Sequence, residues 1–196
     1  GYYKSFYERD SLYKNAIDFL IENGVELQVI DAPQIRLEGF AKILDEDMRY
    51  DLRSYLFFYG SKNLKVEDIS SIIKHNEMDS IERAPYGQGI FKKIIRDTMS
   101  INDFEDLKFE LMTKGNEFFD IPMDKYNLDA VLSINNYHAG YAAMAHNPCL
   151  TVPMKIRKNN EPAGLTIIAK SFQEQKLYEI GYFFEKNYMG RIPPKN

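Results

Sequence analysis

The sequence predicts an α/β fold, and two kinds of segment predict it. An amphipathic helix over 11–22 is followed at once by a short strand, in which Leu27 and Val29 alternate with polar residues before Pro33 ends the run. Short, continuous apolar runs of the kind that form buried strands come later in the chain. They lie at 129–134, 149–152 and 165–169. Helices alternating with buried strands are typical of a sheet covered by helices.

Further helices are predicted from apolar periodicity and from their stop signals. They cover 34–57, 66–73, 90–95, 102–114 and 172–185. Asn102 is a suitable N-cap, and Gly115 is expected to end the helix that Asn102 opens. Pro85 and two glycines make 84–89 a loop, because each of them destabilises a helix interior.

Length and composition bound the class of protein. A chain of 196 residues, 44% of them hydrophobic, buries roughly 70% of its unfolded surface. We found no internal repeat and no linker-like composition, so residues 1–196 are expected to form a single domain or one contiguous part of a larger domain.

Charge, hydropathy and cysteine usage exclude several functions. The net charge of -4 and the pI of about 5.5 argue against a nucleic-acid surface, which needs clustered Lys and Arg. No apolar stretch is long enough for a membrane span, so no membrane association is expected. Cys149 is the single cysteine and forms no internal disulfide. A cytoplasmic protein is therefore the default expectation.

Several motifs occur in a fixed order along the chain. The most specific are Asn147–Met154, Glu161–Ala169 and Phe172–Leu177. They are preceded by Met48–Leu56, Ile69–Asn76, Pro85–Gln88 and Tyr126–Ala130. Together these segments resemble the C-terminal portion of amidase signature family hydrolases, which include the A subunit of glutamyl-tRNA amidotransferase. The resemblance runs from about residue 7 to residue 187.

The resemblance implies a mixed β-sheet flanked by helices and hydrolysis of a carbon–nitrogen amide bond. Family members use a serine nucleophile with a second serine and a lysine, carried by a Gly/Ser-rich segment. No Gly-Gly-Ser-Ser-Gly-like segment occurs in this chain, so it is expected to contain no catalytic residue and to be inactive alone. Its expected role is to supply part of the fold and one wall of the substrate pocket.

The resemblance also implies the partners of the chain. These are the N-terminal half of the same enzyme and, in the full enzyme, a small-molecule amide substrate; no cofactor and no metal are expected. Tyr86 and Gln88 are the candidate substrate-binding residues, since polar side chains on such loops often supply specificity. A chain lacking its other half exposes apolar surface, so self-association into a homo-oligomer is also expected.

Other candidate residues have simpler interpretations. Cys149 is expected to be a small core hydrophobe, although a hydrolase using Cys149 with His138 or His146 is an alternative. Both histidines are expected in a polar loop near the substrate entrance. The acidic run 45–47 is expected to be a solvated helix face, because consecutive residues on a helix do not converge on a cation.

One alternative for the whole chain comes from another functional class. It is a free-standing, non-catalytic binding or scaffold protein that has kept an amidase-like fold. A Gly/Ser-rich segment encoded upstream of Gly1 would distinguish the amidase from this alternative.

Overall fold

The fold is described from a computed structural model, which describes residues 1–193. The strands are β1 (Tyr2–Tyr3), β2 (Val29–Ile30), β3 (Val131–Ile134), β4 (Cys149–Ile156) and β5 (Pro162–Ile168). The helices are α1 (Lys4–Arg9), α2 (Ser11–Glu22), α3 (Phe40–Tyr59), α4 (Ile69–Glu77), α5 (Ser80–Arg83), α6 (Gly89–Arg96), α7 (Ile101–Tyr126), α8 (Ala139–Met144) and α9 (Glu174–Tyr188). Among the described residues, none of these helices has the length and apolarity needed to cross a membrane.

The chain divides into two compact units. The first unit contains Gly1–Leu37 and the chain from Leu111 onward, and the second contains Glu38–Glu110. All five strands belong to the first unit and form one sheet in the order β2-β1-β3-β5-β4. Strands β1, β2 and β3 are parallel, whereas β5 runs antiparallel to both β3 and β4. The predicted α/β class with a mixed sheet is confirmed.

Helices cover both faces of the sheet, because strand residues point alternately to opposite sides. On β3, Leu132 and Ile134 pack on one side with α2 and α9, which contribute Ile17 and Phe184. On the other side Val131 packs with the second half of α7 and with α8. The first unit is therefore a three-layer structure with a hydrophobic core on each side of its sheet.

Helix α2 matches its predicted boundaries and connects one layer to the sheet. Asp10 caps it by accepting hydrogen bonds from the amides of Leu12 and Tyr13 at 3.0 and 2.9 Å. Tyr13, which is fully buried, donates its hydroxyl to the carbonyl of Leu132 at 2.7 Å. The short strand β1 and the helix α1 in front of α2 were not predicted.

The prediction that a helix ends at Gly115 is wrong, since α7 continues to Tyr126. Glycine is required here for packing instead. A Cβ atom at Gly115 would lie 2.8 Å from the amide nitrogen of Ala145 and 2.9 Å from the carbonyl oxygen of Tyr141. The missing side chain therefore allows α8 and the turn after it to approach the backbone of α7 closely.

The second unit is helical, with α3, α4 and α6 packed around Ile69, Ile73 and Ile94. Helix α3 begins at Phe40 instead of residue 34, because Gly39 adopts a left-handed conformation with φ of 92° immediately before it. Several apolar residues of α3 that the periodicity assigned to the buried face are exposed. These are Leu44, Met48 and Tyr55.

The acidic run 45–47 is not the solvated face that was predicted. Glu46 is only 1% exposed and lies 3.3 Å from Lys42 Nζ and 3.4 Å from Arg49 Nε. Asp45 is also buried and accepts a hydrogen bond from Lys93 Nζ at 2.7 Å. Both carboxylates have cationic partners inside the unit, which is the usual condition for burying a charge.

Candidate functional site

The predicted substrate-binding residues lie in the second unit, on the loop between α5 and α6. The loop turns at Gly87, which has φ of 79° and donates its amide to the carbonyl of Ala84 at 2.8 Å. Gln88 is half-buried, and both ends of its side-chain amide bond to α4. Its Oε1 accepts from Asn76 Nδ2 at 3.1 Å, and its Nε2 donates to the carbonyl of Ile73 at 3.3 Å. Gln88 is thus the anchor of this loop.

Tyr86 has the opposite environment. Its side chain is fully exposed. Because Gln88 fixes the loop and Tyr86 projects from it, Tyr86 is the residue of the pair whose ring is available to a ligand. Neither residue lines the two clefts described below.

A second candidate region lies at the carboxyl end of β3, the edge at which open α/β sheets bind ligands. The turn there is held to β5 through Asn135, whose Oδ1 accepts the amide of Gly164 at 2.8 Å. Asn135 also accepts, through its carbonyl, the hydroxyl of Thr166, which lies 2.8 Å from the hydroxyl of Thr151. The turn is therefore rigid, and it carries Tyr137 on the surface and His138 beneath it.

His138 is not in a polar loop, as was expected, but is buried at 4% exposure inside a cage of aromatic rings. The centroid of its ring lies 4.4 to 6.1 Å from those of the rings around it. These belong to Tyr3, Phe6, Phe118, Tyr137 and Tyr141. Burial lowers the pKa of His138 from 6.5 to about 4, because the imidazolium form would lose its hydration. The ring is thus neutral at physiological pH.

The hydroxyl of Ser133 lies 2.8 Å from Nδ1 of His138. This is the spacing of a serine nucleophile and its base. Ser133, however, is completely buried on the central strand, and neither residue lines one of the two clefts. The pair satisfies two buried polar groups and does not present a nucleophile to a substrate. The sequence pattern does not connect Ser133 with His138, although the two residues stand five positions apart across a strand end.

Cys149 is exposed and is not the core residue that was expected. Partial burial of its sulfur raises the pKa of the thiol, which disfavours the thiolate that a nucleophile requires. His146 is exposed, with φ of 54°, in the turn after α8. With His138 enclosed by aromatic rings, the arrangement does not favour a cysteine hydrolase.

The first unit contains a cleft with a volume of about 740 Å³. It lies at the amino ends of the parallel strands, next to Gln28 and Ala130, opposite the edge that carries Asn135. Its floor is apolar, with Leu20, Leu132 and Phe183. Among the residues that the structure describes, no group of three His, Cys, Asp or Glu side chains is placed to hold a metal ion.

Comparison with known proteins gives a consistent answer at the level of fold. No protein-family model matches the sequence, and no curated protein sequence does. Among solved structures, an amidase family protein from Bacillus anthracis str. Ames is 26% identical, with a TM-score of 0.86 over 96% of this chain. A bacterial aryl acylamidase of the amidase signature family superposes with a TM-score of 0.56 at 13% identity, over 89% of this chain. The chain has the fold of an amidase signature family hydrolase.

Peptide amidase from Stenotrophomonas maltophilia shares this amidase fold, with a TM-score of 0.84 over the whole of this chain at 19% identity. The present chain covers 37% of the Bacillus protein, 44% of the peptide amidase and 39% of the aryl acylamidase. It therefore spans about two fifths of the length of the amidases that it matches. The resemblance stated from the sequence motifs is confirmed by these superpositions.

Proposed function

We propose that this chain is the C-terminal portion of an amidase that hydrolyses a carbon–nitrogen amide bond, and that it supplies fold and a pocket wall but no catalytic residue. The observation that carries the proposal is the 26% identity and 0.86 TM-score with an amidase family protein, over nearly the whole of this chain. The absence of a Gly/Ser-rich nucleophile segment from the sequence supports the second part.

The pocket wall is assigned to Tyr86 and the loop that Gln88 anchors. The ring of Tyr86 is fully exposed, and Gln88 bonds to α4 through both ends of its amide. Because a peptide amidase shares the fold, peptide amides are the first substrates to test. The amide substrate and the N-terminal half of the enzyme are the partners in this proposal.

A direct assay tests the proposal. The purified 196-residue chain is incubated with a C-terminally amidated peptide, and release of ammonia is measured, with a known peptide amidase as the positive control. We expect no release by the chain. Hydrolysis that co-purifies with the chain through successive purification steps would contradict the proposal that the chain supplies no catalytic residue.

The native protein in its source cells supplies the second test. Its intact mass is expected to be about twice that of this chain or more, with a Gly/Ser-rich segment in the added part. A native product that begins near Gly1 would instead support a free-standing binding protein.

The role of Tyr86 is tested in that longer enzyme. Tyr86→Ala is expected to raise the KM several-fold and to leave the melting temperature unchanged, because the ring is fully exposed. Ile81→Ala, which removes another strongly exposed side chain of the same unit, is the matched control. An unchanged KM in Tyr86→Ala would remove Tyr86 from the substrate site.

A further inference from the structure

The second unit contains a cleft of about 410 Å³ between the second half of α3 and the first turn of α4. Two arginines one helical turn apart on α3, Arg49 and Arg53, line it. Ser54, Asp68 and Ser70 are the other polar residues of the lining besides Tyr50. A volume in this range is typical of a small-ligand site. Tyr86, Gln88 and the rest of their loop do not contribute to it.

Arg49 is held in place by the interior of the unit. One of its terminal nitrogens donates to the carbonyl of Ile94. Its Nε is buried, lies 3.4 Å from Glu46 Oε2 and makes no hydrogen bond. The guanidinium is thus fixed in the wall of the cleft, where a rigid planar donor group is best suited to bind an oxyanion.

Arg53 has no such internal role. It forms no hydrogen bond or ion pair with any residue in the described part of the chain, and it is exposed at the cleft. Asp68 also lines the cleft and caps α4, where it accepts the amide of Ser71 at 2.8 Å. It attracts Arg53 electrostatically but forms no hydrogen bond with it. The five donors of the Arg53 guanidinium are therefore without a hydrogen-bond acceptor among the described residues.

The charge around the cleft favours an anion. Two arginines (Arg49 and Arg53) and one carboxylate (Asp68) line it. The carboxylate already accepts the amide of Ser71. The hydroxyl of Ser70, in the first turn of α4, adds a donor that is not used by the described residues. The guanidinium fork of Arg53, the remaining donors of Arg49 and the Ser70 hydroxyl can together satisfy three oxygens, which a phosphoryl group has and a carboxylate lacks.

We propose that this cleft binds the phosphoryl group of a small anionic ligand, between Arg49 and Arg53 with Ser70 as a further donor. The site is independent of the amide-hydrolysing function. We therefore expect the amide signals of the second unit to respond to phosphate and not to carboxylates of the same size.

The experiment is a titration of the full 196-residue chain, labelled with nitrogen-15, with inorganic phosphate and then with phenyl phosphate. We expect saturable shifts of the amide signals of Ile69 and Ser70. Acetate serves as the carboxylate probe at equal ionic strength and is expected to bind at least roughly tenfold more weakly. Acetate binding as tightly as phosphate would overturn the phosphoryl assignment.

Variants locate the site. Arg53→Gln, which disturbs no internal bond, is expected to weaken phosphate binding roughly tenfold or more, the usual consequence of losing a charge-assisted hydrogen bond. Lys62→Gln removes an exposed cation of the same unit outside the cleft and is expected to bind like the unmodified chain. Arg53→Lys keeps the charge without the planar fork and is expected to bind more weakly than the unmodified chain. Equal affinity for phosphate in Arg53→Gln and Lys62→Gln would overturn the proposal.

Discussion

At the scale of single residues, the chemistry of His138 is decided by what surrounds it. The sequence places it eight residues before a second histidine, a spacing that invites a ligand interpretation. In the fold its ring is enclosed by aromatic side chains, and Ser133 satisfies its Nδ1. A histidine in such a place is neutral and contributes to packing, and protonating it lowers the stability of the fold.

Because of His138, the stability of the first unit is expected to decrease as the pH falls. The pKa of this group is about 4 when folded and near its ordinary 6.5 when unfolded, so between these values the unfolded state binds a proton that the folded state does not. Above pH 6.5 the titration of this group does not lower the free energy of unfolding. As the pH falls to 4, it lowers the free energy of unfolding by roughly 3 kcal/mol. Denaturant unfolding across this range measures it.

Two histidine variants separate this effect from the titration of the carboxylates. His138→Phe should flatten the pH dependence between pH 6.5 and 4, even though it lowers stability at neutral pH by stranding the Ser133 hydroxyl. His146→Gln changes an exposed histidine and should keep the full dependence. The same pH dependence in all three proteins would show that His138 is not the titrating group.

At the scale of elements, close approach decides where the helices end and what they pack against. Helix α7 passes through Gly115 because the glycine is needed at the contact with the end of α8, not because it terminates the helix. Helix α9 shows the same device at Gly181, where a Cβ atom would lie 2.4 Å from Leu150 of the sheet. In both helices glycine lowers the intrinsic helix propensity and allows a closer packing distance.

Gly115→Ala is therefore expected to destabilise the protein, although alanine is the better helix former. The added methyl group would overlap backbone atoms of Tyr141 and Ala145 that have little room to move, at a cost of roughly 1 to 3 kcal/mol. The measurement is the free energy of unfolding in denaturant.

Gly89→Ala is the matched control for this change. Gly89 is the first residue of α6, and a Cβ atom there meets nothing within 4 Å. It should be neutral or slightly stabilising, because alanine reduces the conformational freedom of the unfolded chain. An equal loss of stability in both variants would mean that packing at Gly115 is not the cause.

At the scale of the whole molecule, three consecutive aromatic residues are exposed at the carboxyl end of α3. Phe57 is 81% exposed, and Phe58 and Tyr59 beside it are nearly as exposed. The edge strand β4, by contrast, is poorly suited to pairing with another chain. It contains Pro153 and Lys155, and the backbone at Gly190 lies against the carbonyls of Pro153 and Met154.

Self-association of the chain is accordingly expected through the aromatic end of α3. Static light scattering over a range of concentrations should show mass rising with concentration, and the double change Phe57→Ser, Phe58→Ser should reduce the rise. Tyr178→Ser, at an exposed aromatic residue of α9, should leave it unchanged. A monomer at every concentration would refute the expectation.

The sequence by itself determined the α/β class, the boundaries of α2, the buried strand β3 and the resemblance to amidases, because each is encoded in local periodicity or in an ordered set of short motifs. Only the tertiary structure decided the burial of Glu46 and His138, the passage of α7 through Gly115, and the meeting of Arg49 and Arg53 with Ser70. Each of these depends on contacts between segments far apart in the chain. Local patterns carry no information about the distance between such segments, and that distance sets the solvation of a charge and the space beside a glycine.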